Sequence, residues 1–132
     1  LNECCAQRGP PHASSLRLTS PVASHTFVAH DATTAKVAGK FNSQALIASV
    51  WVERTGATKN KVPTPLDWSQ SSGNAGAQGD VISFNGNIPL QGGQNYLQLW
   101  AKDSCGKKYL MKWFYVSTLA ANVAADLNPN PG

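Results

Sequence analysis

The chain is predicted to be all-β, folded as two antiparallel sheets packed into one sandwich. Three observations predict this. Short apolar runs with period-two alternation recur along the sequence, clearest at Tyr96-Leu97-Gln98-Leu99-Trp100-Ala101. Turn-forming clusters separate them, among them Arg54-Thr55-Gly56, Gly92-Gly93 and Asp103-Ser104-Cys105-Gly106. Charged residues make up only 14% of the 132 positions, against about 25% in an average globular chain. The polar remainder of Ser, Thr, Asn, Gln and Gly suits short strands and many turns, and it suits an exported protein. A length of 132 residues allows one hydrophobic core and no second independent domain.

The elements follow in order. Residues 1–15 hold Gly9-Pro10-Pro11 and Ser14-Ser15, and are read as an irregular arm, flexible or tethered by a disulfide. Leu16-Arg17-Leu18-Thr19 and Thr26-Phe27-Val28-Ala29 are short extended stretches, with Pro21 between them where an edge strand changes partners. Val37–Phe41 is a strand whose Gly39 marks a bulge or a close backbone approach. Ala45–Glu53 is the clearest β run of the first half. Residues 57–79 are mostly irregular, with Pro63, Pro65 and a Ser71–Gly76 cluster, one short strand near Lys61–Trp68, and Trp68 folding back over the core.

Residues 80–90 contain Asn85-Gly86, a hairpin signal. The flanking halves are too short for two strands, so one strand with a kink is expected. Residues 95–102 and 108–117 form a hairpin about Asp103–Lys107. After Ser117, the Leu119 and Val123 spacing allows a short helix or an extended tail. The expected division is therefore an arm over 1–15, a sandwich of about seven strands over 16–117 and a tail over 118–132.

Residues 33–117 resemble the immunoglobulin-like or fibronectin III-like modules of bacterial extracellular proteins. The matching pieces are Val37-Ala38-Gly39, Ile47–Val52, Phe84 to Ile88-Pro89-Leu90, Gly93-Gln94-Asn95-Tyr96-Leu97 and Ala101–Gly106. The resemblance implies an exported, non-enzymatic module acting as a spacer, a binding unit or a fibre subunit. The architecture hosts many roles, so it does not select among them. The core cysteine pair of antibody domains is absent.

No catalytic constellation is legible. The seven acidic residues fall mostly at turns. His12, His25 and His30 lie in the first 31 residues, apart from any nucleophile. No phosphate-cradling glycine loop or metal-ligand spacing occurs, and the expectation is no enzyme, no cofactor and no metal. A net charge of +4, from 11 basic and 7 acidic residues, is mild. Lys107, Lys108 and Lys112 read as a solvated hairpin tip and not as a nucleic-acid footprint. No apolar run spans a membrane as a helix. The start at Leu1, without a charged segment and apolar core ahead of it, fits a processed export substrate or a fragment. The localisation expected is secreted or cell-surface.

Cys4, Cys5 and Cys105 are the disulfide candidates. A bridge from the arm to the 103–106 turn would close a loop of about 100 residues, worth about 4.7 kcal/mol on the chain-entropy argument. One thiol would be left for another chain or remain reduced.

The aromatic residues give the sharper functional expectation. Alternation turns Ala48, Val50 and Val52 inward and Trp51 outward. It turns Leu97 and Leu99 inward and Tyr96, Gln98 and Trp100 outward. On the last strand, Leu110, Phe114 and Val116 are expected inward, with Tyr109, Met111, Trp113 and Tyr115 outward and Lys112 awkwardly inside. If these strands are neighbours, Trp51, Tyr96, Gln98, Trp100, Tyr109, Trp113 and Tyr115 form one exposed patch, the mark of a docking surface. Protein subunits are the favoured partners and a glycan the alternative, since only Gln98 and Glu53 are placed to meet sugar hydroxyls. Leu16, Leu18 and Phe27 are candidates to complete a neighbour's sheet by strand addition. The expected function is a structural or interaction subunit of a bacterial surface assembly such as a pilus-like fibre. The alternative is a carbohydrate-binding or spacer module.

Overall fold

The structure is a computed structural model that describes residues 9–56, 59–72 and 79–119. These residues contain nine strands and no helix. The strands are β1 (Pro11–Ser20), β2 (His25–Val28), β3 (Thr34–Ser43), β4 (Ile47–Thr55), β5 (Lys61–Pro65), β6 (Asp67–Ser71), β7 (Asp80–Pro89), β8 (Gln94–Asp103) and β9 (Lys108–Thr118). They form a four-stranded sheet, β1-β3-β7-β6, and a five-stranded sheet, β2-β9-β8-β4-β5. All pairings are antiparallel except β2 with β9, which is parallel. The fold class read from the sequence is therefore the fold observed, with nine strands in place of about seven.

The core lies between the sheets. Val37, Phe41, Ile82, Phe84 and Ile88 of one sheet meet Val50, Val52, Leu97, Leu99, Phe114 and Val116 of the other. Each set sits at alternate positions of its strand, as one buried face requires. Asn95 is also fully buried: its amide donates to the Gln91 and Gly93 carbonyls, and its oxygen accepts from Gln91 N–H. That closes the turn between β7 and β8.

Several boundaries differ from the sequence reading. Strand β1 begins at Pro11, so the arm boundary expected at residue 16 falls inside a strand. A proline at a strand's first position gives up no ladder donor that the sheet needs. Residues 1–8 and 120–132, with the C-terminal helix-or-tail segment, lie outside the described residues. So do 57–58 and 73–78, which include most of the Ser71–Gly76 cluster.

The single strand expected near Lys61–Trp68 is two strands in different sheets. Leu66 is the crossing point: its side chain is buried and its N–H donates to the Val50 carbonyl at 3.0 Å. Trp68 then packs against the core from β6, as expected. Asn85-Gly86 lies within one continuous strand, β7. The glycine is there for space, because a Cβ at Gly86 would come within 2.6 Å of Leu66 Cδ2. Gly39 has a stricter version of the same role, since its Cβ would meet the Arg17 carbonyl oxygen at 2.4 Å.

Two bulges correct the inward and outward assignments. Between the pairs Ile47–Asp103 and Ser49–Lys102, β4 carries one extra residue, Ala48. Ala48 is exposed, and Ile47 takes the buried place. Between Leu99–Lys112 and Trp100–Leu110, β9 carries one extra residue, Met111. Met111 is buried, while Leu110 and Lys112 are exposed. Strict alternation had these three reversed, and the bulge is what spares Lys112 from burial.

Candidate functional site

The outer face of the five-stranded sheet is built from cross-strand rungs. The first joins Pro65 of β5, Trp51 of β4, Trp100 of β8 and Leu110 of β9. The second joins Pro63, Glu53, Gln98 and Trp113. The third joins Lys61, Thr55, Tyr96, Tyr115 and, on β2, His25. Cross-strand partners project from the same face, so each rung is a row of neighbours.

The rings touch along and across these rungs. Trp51 and Trp100 lie nearly parallel, with centroids 6.3 Å apart and planes 9° apart. Tyr96 approaches Tyr115 at 5.2 Å and Trp113 at 6.0 Å, and Trp113 meets Tyr115 edge-on. His25 extends the cluster, 5.5 Å from Tyr115 and stacked on Phe27 at 4.6 Å. Separations of this kind are favourable for aromatic pairs. Trp113 is 53% exposed and Phe27 61%, the neighbouring Leu110 is 40% exposed, and Trp51, Tyr96, Trp100 and Tyr115 are half-buried.

Polar side chains sit among the rings and are tied to them. Trp51 Nε1 donates to Glu53 Oε2 at 3.3 Å, and Trp100 Nε1 to Gln98 Oε1 at 3.4 Å. Gln98 Nε2 donates to the Tyr96 hydroxyl at 3.2 Å. These bonds fix ring orientations and use up hydrogen-bonding capacity within the chain. Beside Trp51 the surface dips into a shallow hollow lined by Ser49, Glu53, Pro63, Pro65, Lys102 and Lys108.

Six of the seven patch residues read from the sequence meet on this face: Trp51, Tyr96, Gln98, Trp100, Trp113 and Tyr115. Tyr109 does not. The bulge at Met111 sets it on the core side, where it packs against the buried cluster and its hydroxyl donates to Asp103 Oδ2 at 2.8 Å. Phe27, His25, Leu110, Pro63 and Pro65 were missed as members. The proline pair at i and i+2 was a legible sign of one face of an edge strand. The place of Phe27 was not legible, because it depends on which sheet β2 joins.

The strand-addition candidates are placed within the chain's own sheets. Leu16 and Leu18 lie on β1, which pairs with β3, and both pack against the core. Phe27 lies on β2, opposite Ser117 of β9. Within the single chain, the segment completes these two sheets.

Cys105 lies exposed in the turn between β8 and β9, its N–H donating to Asp103 Oδ1 at 2.9 Å. Cys4 and Cys5 lie outside the described residues. Lys107 and Lys108 are exposed at the same hairpin, with Lys107 Nζ 5.4 Å from the Tyr109 ring centroid. Among the described residues no group of three or more His, Cys, Asp or Glu could hold a metal ion, and no helix is long and apolar enough to cross a membrane. Fold and site together define a β-sandwich domain with one aromatic outer face. No family model matches the chain, and no curated protein matches it in sequence.

Proposed function

We propose that the chain is an immunoglobulin-like, non-catalytic interaction subunit of an exported bacterial surface assembly, docked to protein neighbours through the outer face of β2-β9-β8-β4-β5. The immunoglobulin-like reading is supported by strand order. The sheets β1-β3-β7-β6 and β9-β8-β4-β5 have the sequence order of the two sheets in that architecture, and β2 is a first-strand segment crossing to the opposite sheet.

One observation carries the docking proposal: two groups of exposed and half-exposed rings, Trp51–Trp100 and Tyr96–Trp113–Tyr115–His25–Phe27, share one face across β2, β9, β8 and β4, with Gln98 bonded to both. Trp and Tyr dominate the energetics of protein interfaces because they bury large rigid surfaces. Protein is favoured over sugar because Glu53 and Gln98 already serve the chain's own indole N–H groups. A sugar platform needs such groups for hydroxyls. Docking by the face is favoured over strand addition because β1 and β2 pair within the chain, and because the β5 edge carries Pro63 and Pro65.

The test is light scattering across a concentration series, with Trp113→Ser alongside the wild-type chain. Concentration-dependent association of the wild type, weakened by the substitution, is the expected result. A wild-type chain that stays monomeric while its Trp emission shifts with soluble oligosaccharides would replace the protein reading with the sugar one.

A further inference from the structure

We propose that the cleft opened between β1 and β3, on the sheet opposite the aromatic face, binds a phosphate or sulfate group. The two strands leave register there. Strand β1 spends four residues, and β3 one, between the pairs His12–Asn42 and Arg17–Lys40. The excess chain leaves a cavity of about 430 Å³, lined by Ser14, Ser15, Arg17, Lys40 and Asn42, with Val81 and the core residue Phe41.

The charge arrangement favours a counter-ion. Arg17 and Lys40 are direct cross-strand partners. Like charges directly opposite repel, even at two exposed positions, and an anion between them would turn repulsion into attraction. None of the residues lining the cleft is acidic. The nearby Asp80 carboxylate accepts from Gln70 Nε2 at 3.1 Å, and it is the Asp80 backbone carbonyl that accepts from Asn42 Nδ2, at 3.5 Å. Among the described residues no ion pair neutralises either cation.

The donors are also partly set in advance. Arg17 Nη1 donates to the Leu16 carbonyl at 3.0 Å, which steers the guanidinium and leaves Nε and Nη2 for a ligand. Ser15 Oγ bridges the broken ladder, donating to the His12 carbonyl and accepting from Asn42 N–H. It thereby holds the bulge open. Arg17, Lys40 and Ser14 all line the one cavity. A tetrahedral oxyanion offers enough acceptors for all three, and charge-assisted bonds of this kind are the strong ones.

The experiment is an amide-shift titration of the whole chain with inorganic phosphate, with dextran sulfate and with neutral dextran. It is run on wild type, on Arg17→Gln/Lys40→Gln and on Lys107→Gln/Lys108→Gln. The last two carry the same net charge, so they separate a site from general attraction. Shifts confined to residues 14–17 and 39–42, an affinity loss of about tenfold in the first variant and little change in the second are expected. Saturation by free phosphate identifies a small-ion site. Saturation by dextran sulfate alone identifies a polymer-borne group. Equal weakening in both variants, shifts centred on the 103–112 hairpin, an equal response to neutral dextran, or no response to any probe would each overturn the proposal.

Discussion

The Tyr109 hydroxyl donates to the Asp103 carboxylate at 2.8 Å across the base of the β8–β9 hairpin. The carboxylate also accepts from the N–H groups of Cys105 and Lys107, at 2.9 and 3.0 Å. Asp103 is fully buried, so these bonds replace the water it lost. The same contact takes Tyr109 out of the aromatic face.

Removing that hydroxyl should therefore loosen the hairpin and leave docking untouched. Tyr109→Phe is expected to cost about 1–2 kcal/mol, and Asp103→Ala about 3 kcal/mol, because the second change strands two backbone donors as well. Urea unfolding of both single variants and the double variant measures the coupling. Additive losses would show that the pair does not act as a unit.

Gly39 and Gly86 should respond differently to the same methyl group. At Gly39 the obstacle is the Arg17 backbone carbonyl, which moves only with β1. At Gly86 it is the end of the Leu66 side chain, which has rotamers to spare. Gly39→Ala is expected to cost about 3 kcal/mol and Gly86→Ala about 1 kcal/mol, within the usual range for overpacking. Thermal melts of the two variants check the order, and equal losses would refute it.

Pro63 and Pro65 lie on β5, at the end of the five-stranded sheet. Neither has an N–H to offer a passing strand. Pro63→Thr/Pro65→Thr restores two donors to an open edge and should speed aggregation, with stability shifted by less than about 1 kcal/mol. Time-resolved turbidity at a temperature below the melt is the measurement. An unchanged aggregation rate would mean the edge is guarded by something else.

A bridge from Cys105 to Cys4 or Cys5 remains an expectation from the sequence. Peptide mapping without reduction should find Cys105 linked to the N-terminal peptide, and reduction should lower stability by up to about 4.7 kcal/mol. Recovery of Cys105 alkylated in the unreduced chain would rule the bridge out.

The β8 strand was fully legible. Its alternation holds from Tyr96 to Ala101, and the buried and half-exposed sides fall where period two puts them. The first part of β9 was not legible, although its composition is as strand-like. One extra residue there inverts the assignment of Leu110 and Met111 and removes Tyr109 from the patch. A bulge is a mismatch between two strands, so neither strand records it alone.

The amino-acid sequence by itself determined that this chain is an all-β sandwich with its rings on strand faces, because side-chain alternation and turn chemistry are local properties of the backbone. Only the tertiary structure decided that β2 lies beside β9, that Leu66 carries the chain between sheets, and that Arg17 stands opposite Lys40. Those relations join residues far apart in sequence, and they are set by which apolar faces can be buried together, a quantity no single segment contains.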